Sequence, residues 1–209
     1  MDSVYKLVHF PIKSHGETVR FIFAYVGVEY EDYRVKREDW PNLKNSTPFR
    51  SLPYLEVDGQ VIGQSLAILR FLARRFHLAG GDELEQARVD AVADCWNDVR
   101  HGGFAIWFRE QDQEKKAKLG EEFFGKTLPE CLDVLEKLLM ANTVGKHEFF
   151  VGCDPTWADF HIAVLMDSLQ DLEPRVLEKY PLLSAHKSRV EDLKGIKDWI
   201  AKRHITRLT

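Results

Sequence analysis

Three small groups of residues have the types and spacing to do chemistry. His9 closes the run YKLVHF, at the end of an expected strand and just ahead of a turn. An imidazole there can fill a core, ligate a metal or handle a proton near a reacting atom. Trp40 and Lys44 stand four residues apart in DWPNLK. On a short helical turn they point the same way, so they offer either an indole N–H and an ammonium to one anion, or a packed ring and a solvated charge. Gln64 and Ser65 open the periodic run QSLAILRFLARRF. Ser65 is a candidate N-cap there, and a helix start presents free amides beside a hydroxyl. No metal is expected: His9 and His15 lack a third ligand, and the cysteines have no ligand spacing. No G-x-G-x-x-G or P-loop pattern occurs.

These groups must be positioned by the elements around them. The segments YKLVHF and VEYEDYRV read as strands, and GETVRFIFAYVGV between them as a helix with Val19, Ile22, Phe23 and Val26 on one face and a stop at Gly27. A loop rich in Pro, Asn and Ser follows, with one helical turn after Pro41. PYLEVDGQVIGQS then reads as a hairpin about Asp58-Gly59, and QSLAILRFLARRF as an amphipathic helix. After the linker HLAGGDELE the pattern is helical throughout. Thr156 and Asp159 in TWADF form a capping box, and His161 behind them reads as a core histidine.

Composition narrows the function classes. The chain has 209 residues, 44% of them hydrophobic, and a formal net charge of −4. That balance argues against a nucleic-acid binder, and no apolar run suggests a membrane segment. The start Met-Asp-Ser is unlike a signal peptide. Three cysteines, Cys95, Cys131 and Cys153, are expected as unpaired buried thiols in a reducing, cytoplasmic setting.

The order β-α-β, loop, β-β-α with Leu52-Pro53 ahead of the hairpin resembles the thioredoxin fold, whose proline at that point is cis. The stretch PIKS stands where dithiol relatives carry C-x-x-C, so dithiol chemistry is excluded. In detail YKLVHF, YEDYRV, DWPNLK, PFRSLPYLEVDG, GQSLAILRFLAR and VGCDPTWADFHIA resemble the cytosolic glutathione S-transferases, most closely the sigma class of invertebrates. The resemblance spans the chain. It implies an α/β thioredoxin-like domain over 1–79 with cis-Pro53, and an all-α domain over 83–209 that forms a hydrophobic pocket.

It also implies the site. Glutathione, as co-substrate, would pair with the backbone of Leu52 beside Ser51 and Pro53. Its γ-glutamyl carboxylate would meet Gln64 and Ser65, and its glycyl carboxylate Trp40 and Lys44. Asp98 would reach the ammonium from the partner subunit of a homodimer. Phe10, Phe104, Trp107 and Phe108 would wall the pocket for small lipophilic electrophiles, with a helix kink at Gly102-Gly103. His9 takes the place of the family's tyrosine, which donates a hydrogen bond to the sulfur and favours thiolate. The turn that usually reads RGRAE is here KSHGE, so Ser14 stands at the turn glycine and His15 at an arginine. Two functions stay open: a detoxification-type glutathione transferase with His9 as the catalytic residue, or a binder of glutathione and lipophilic ligands with weak or no transfer chemistry.

Overall fold

The computed structural model describes residues 3–204. The chain runs β1 (Tyr5–His9), α1 (His15–Val26), β2 (Glu31–Arg34), α2 (Trp40–Leu43), β3 (Tyr54–Val57), β4 (Gln60–Gly63) and α3 (Ser65–Arg75). The sheet order is β2-β1-β3-β4. β1 pairs parallel with β2, from Lys6 opposite Glu31 to His9 opposite Arg34. It pairs antiparallel with β3, from Tyr5 opposite Val57 to Val8 opposite Tyr54. Asp58 and Gly59 both take positive φ, 51° and 79°, which is the geometry a two-residue hairpin demands. The Leu52–Pro53 bond is cis. The expected α/β thioredoxin-like half followed by a helical half is the fold observed.

The helical half contains α4 (Glu83–Val99), α5 (Ala105–Arg109), α6 (Gln113–Glu122), α7 (Leu128–Ala141), α8 (Trp157–Gln170), α9 (Pro181–Asp192) and α10 (Ile196–Lys202). Asp82 caps α4 by accepting from the Glu85 amide at 2.8 Å. The expected kink is a π-helical turn over Arg100–Phe104. Gly103 belongs there because the Phe123 ring lies against it, where a Cβ would collide.

Two helices carry the core. α8 is buried around most of its circumference, and its capping box forms as the sequence predicts. The Asp159 carboxylate accepts from the Thr156 amide and hydroxyl, both at 2.7 Å, and from the Phe150 amide at 2.9 Å. α1 departs from expectation. It does not present one apolar stripe: every residue from His15 to Phe23 is buried. The sheet and α3 cover one side, and α8 and α10 the other. Gly27 ends it as predicted, at φ 72°.

Two further differences are local. Gln64, at φ 69°, holds the N-cap position of α3, and Ser65 is its first helical residue without a capping bond. The chain leaves β4 and reverses within one residue, so the left-handed residue must precede the helix. All three thiols are free, but only Cys131 is buried; Cys95 is half-buried and Cys153 exposed. Among the described residues no helix is long and apolar enough to cross a membrane.

Candidate active site

Strand register gathers the predicted residues at one end of the sheet. Val8 lies opposite Tyr54 and Tyr54 opposite Gly63, so His9, Pro53 and Gln64 leave neighbouring strands on the same edge. Ser51 and Leu52 enter that edge half-buried, and Ser65 leaves it. Rings extend the edge on the other side. The Phe10 ring lies 6.0 Å from His9 and packs edge-on to Trp40 at 5.4 Å. Lys44 follows one turn later, its amide bonded to the Trp40 carbonyl, with its side chain exposed. Neither Lys44 nor Asp98 has an ion-pair partner among the described residues.

The pocket aromatics divide. Phe104, Trp107 and Phe108 pack together and continue into Phe123 and Phe124. Phe10 is not part of that group; β1 carries it to Trp40 instead. Of the four, Phe104 alone lines the cavity of about 30 Å³ between the start of α1, α4 and α8. Ser14, His15, Trp96, Arg100 and His161 also line it.

His9 is buried, and its Nδ1 finds no partner among the described residues. Burial, then the charge of Arg20, lowers its pKa to about 3. It is therefore a neutral imidazole across the working range, not an imidazolium. Gly16 explains its placement: a Cβ there would collide with the Nδ1 and Cγ of the ring. The imidazole at position 9 thus requires the glycine at 16, where the RGRAE pattern carries alanine.

The start of α1 is under strain. Ser14 precedes the helix at φ 111°, a region that favours glycine, and its hydroxyl makes no capping bond. Lys13 beside it is buried and bridges Asp171 at 2.8 Å and Asp167 at 3.0 Å. Burial alone would push the Asp167 carboxyl up, but Lys13, Arg203 and Lys187 outweigh it and hold the carboxyl below its usual range. His15 stacks on His161 with centroids 5.2 Å apart. Burial, then the neighbouring His161, keeps the His15 pKa well below its ordinary value. Burial, then Arg100, lowers His161 to about 3.

His161 is only half satisfied as a core residue. Its Nδ1 pairs with the Thr18 hydroxyl at 3.2 Å, while Nε2 has no partner among the described residues. Arg100 escaped the sequence reading altogether. The available signal was spacing: Trp96, Arg100 and Phe104 are successive i, i+4 positions, and an arginine on such an apolar face needs a reason.

The comparisons with known proteins agree with this geometry. Residues 3–74 match the model for the glutathione S-transferase N-terminal domain, and residues 97–203 the model for its C-terminal domain. The chain belongs to the glutathione S-transferase family, a family of enzymes. Among its relatives is glutathione S-transferase 1 of Ascaris suum, 42% identical over 95% of this chain and 96% of that protein. Hematopoietic prostaglandin D synthase of Gallus gallus is 41% identical, again over 95% and 96%. A solved structure of prostaglandin synthase D from Nilaparvata lugens superposes with a TM-score of 0.91 at 33% identity, covering 97% of this chain and all of that one.

The buried imidazoles set a pH dependence. Once unfolded, each takes up a proton near 6.5, whereas His9 and His161 folded do so only near 3. The unfolded state then binds more protons, so this stability is complete above about 6.5 and is lost as pH falls. Each group contributes a loss of about 1.4 kcal/mol per pH unit in that window. Urea unfolding at pH 7.5 and 5.5 should differ by roughly 3 kcal/mol for His9 and His161, and His15 acts in the same direction. Equal stability at the two values would show the imidazoles to be solvated.

The Gly16 contact generates a second expectation. Gly16→Ala should displace the His9 ring and destabilise the chain by roughly 1–3 kcal/mol, the usual cost of overpacking. Adding His9→Tyr should recover most of that loss, because the longer ring leaves the space beside residue 16. Thermal unfolding of the two variants, with no recovery in the double, would break the proposed coupling between positions 9 and 16.

Proposed function

We propose that this chain conjugates or reduces small lipophilic electrophiles with the thiolate of glutathione, a detoxification-type activity in the cytoplasm, and that it is related to the sigma class. The observation that carries this is the register that brings His9, Pro53 and Gln64 to one edge. In this reading residues 1–79 hold glutathione and residues 83–209 supply the electrophile's pocket. The tripeptide lies along the edge, its backbone paired with Leu52 and flanked by Ser51 and Pro53. Gln64 and the uncapped start of α3 at Ser65 take one carboxylate. Trp40 and Lys44 take the other, and the absence of an ion pair to Lys44 among the described residues supports that role.

His9 acts as a neutral donor to the sulfur. Its Nδ1 faces Gly16, so the proton that matters is on Nε2. A donor without formal charge stabilises the thiolate less than an imidazolium would, and the rate should not decline through an imidazole titration near neutral pH. The same burial favours the second reading, a glutathione and lipophilic-ligand binder with weak chemistry. Phe10 stands beside the sulfur's place and Phe104, Trp107 and Phe108 across the pocket.

Calorimetry and ultraviolet titration of bound glutathione test the proposal together. Lys44→Ala and Ser65→Ala should each weaken binding by ~1.5–3 kcal/mol, the scale of a charge-assisted contact. Unchanged affinity in both refutes the site. A thiolate band below pH 8 that His9→Phe moves upward supports catalysis by His9; binding without such a band supports the binder.

The same reading makes the protein a homodimer, with the first long helices of one subunit set against the α/β half of the other. Asp98 then lies near the ammonium in the partner's site. Phe49 supports this: it is 71% exposed, at φ 54°, on the loop that packs over Gly63. An aromatic held out in that way suits a contact surface. Sedimentation at micromolar concentration should give twice the chain mass, and Phe49→Ser should shift it toward monomer. A monomer in the unaltered protein removes Asp98 from the site.

A further inference from the structure

Cys95 and Cys131 are far apart in sequence and meet in the fold. Cys95 lies on α4 and Cys131 on α7, and these two helices pack against each other. Cys131 belongs to the buried core, and Cys95 packs against that core from its margin. Both thiols are free, and they are hydrogen-bonded to one another. The two are unequal. Cys131 is 4% exposed, whereas Cys95 is half-buried and partly open to solvent. The bond with Cys131 also holds the Cys95 thiol below its ordinary range, against the effects of burial and of the Asp98 charge. The same bond, then burial, pushes the Cys131 thiol up. Cys95 is therefore the sulfur that an oxidant can reach and the one that carries thiolate near neutral pH. Cys131 is the protonated donor behind it. An accessible thiolate beside a second, sheltered thiol is the arrangement of an attacking and a resolving cysteine.

The location of the pair gives it a lever. Just beyond Cys95, α4 passes into the π-helical turn Arg100–Phe104, and just before Cys131 a second such turn, Phe123–Thr127, leads into α7. π-helical turns are rare departures from the α-helical bond pattern and are less firmly held than the helices beside them. The two turns touch. Phe123 lies against Gly103 and packs on Phe104 with centroids 5.7 Å apart, and Phe104 in turn packs on Trp107 and Phe108. The thiols thus stand at the base of the two segments that carry the aromatic cluster. A covalent bond between α4 and α7 at that level restricts both turns at once.

We propose that Cys95 and Cys131 form a redox-sensitive pair that a hydroperoxide converts reversibly to a disulfide, stapling α4 to α7 beneath the aromatic cluster. The Cys95 thiolate attacks the hydroxyl oxygen of the peroxide. The O–O bond breaks, and the departing alkoxide takes a proton from water and leaves as an alcohol. Cys95 is then a sulfenic acid. The Cys131 sulfur attacks the Cys95 sulfur, the S–O bond breaks, and hydroxide leaves with the Cys131 proton as water. The two thiols have lost two electrons and two protons, and the peroxide has become an alcohol and water. A small dithiol reverses the bond by exchange. In a reducing compartment such a disulfide is transient, which suits a sensor and not a structural brace.

The test uses the full chain without glutathione, so it stands apart from transferase activity. The reduced protein is treated with hydrogen peroxide, the remaining thiols are alkylated, and the peptides are mapped by mass. The chain should lose two hydrogens, take up the alkylating agent at Cys153 alone and yield a Cys95–Cys131 linked peptide that dithiothreitol releases. Cys153→Ser should form the same link. Cys131→Ala should stop at a sulfenic acid on Cys95, trapped by dimedone and formed ~10-fold more slowly at pH 7, because the thiolate loses its hydrogen-bond donor. Amide hydrogen exchange over Arg100–Phe104 and Phe123–Thr127 should slow in the oxidised chain and not in peroxide-treated Cys95→Ser. Oxidation of Cys153 with no link between Cys95 and Cys131 overturns the proposal, and so does a link that is lost in Cys153→Ser. A sulfenic acid that forms at Cys131 in Cys95→Ser as fast as at Cys95 in Cys131→Ala overturns the assigned order of attack. A link that leaves exchange in both turns unchanged overturns the staple.

Discussion

The charge network through α1 holds the two halves of this molecule in one arrangement. Arg20 and Glu17 are almost fully buried and bonded to each other at 3.1 Å. Arg20 reaches Asp32 on β2 with two of its nitrogens. Glu17 accepts from the Trp199 indole at 2.8 Å and from Arg203 at 3.0 Å, both from the far end of the chain. Arg203 continues to Asp167 on α8, and Asp167 to Lys13 ahead of α1. Buried charges are tolerable only when each has its partner, so the network specifies one docking of sheet, α1, α8 and the C-terminal helix. An apolar contact of equal area would permit sliding; these bonds do not.

That docking has a consequence for the chemistry. The turn from His9 to Gly16 is fixed at both ends, by β1 on one side and by the Lys13 and Glu17 bonds on the other. Within it a side chain can change only if its neighbour changes as well. An imidazole at position 9 occupies the space of a Cβ at position 16, and glycine is there. Ser14 in the same turn holds φ 111°. The departures at 9 and 16 are packed against each other, and His15 stacks on His161 instead. They leave Trp40, Lys44, Gln64 and Ser65 on elements of their own, anchored by the hairpin and by the short helical turns.

The second half contributes an imbalance of charge. The cavity behind α1 brings Arg100 near two neutral imidazoles, His15 and His161. Arg100 has no bonded acid among the described residues, whereas the network a few residues away is paired at each charge.

Much was legible from sequence because it follows from local rules. The period of the strands, Asp58-Gly59 at a two-residue turn, Gly27 at a left-handed stop and the Thr156–Asp159 box depend on residues within a few positions of one another. The set of groups at one edge, His9, Pro53 and Gln64, followed from the order of strands. Tertiary structure alone decided the rest. α1 is buried on all sides because α8 and α10, more than 130 residues away, close over it. Gln64 displaced Ser65 from the cap because the path out of β4 set the backbone. The neutrality of His9 and the isolation of Arg100 are sums over every charge and apolar group packed around them. No short window of sequence contains those sums, since desolvation and Coulomb terms act through space and not along the chain.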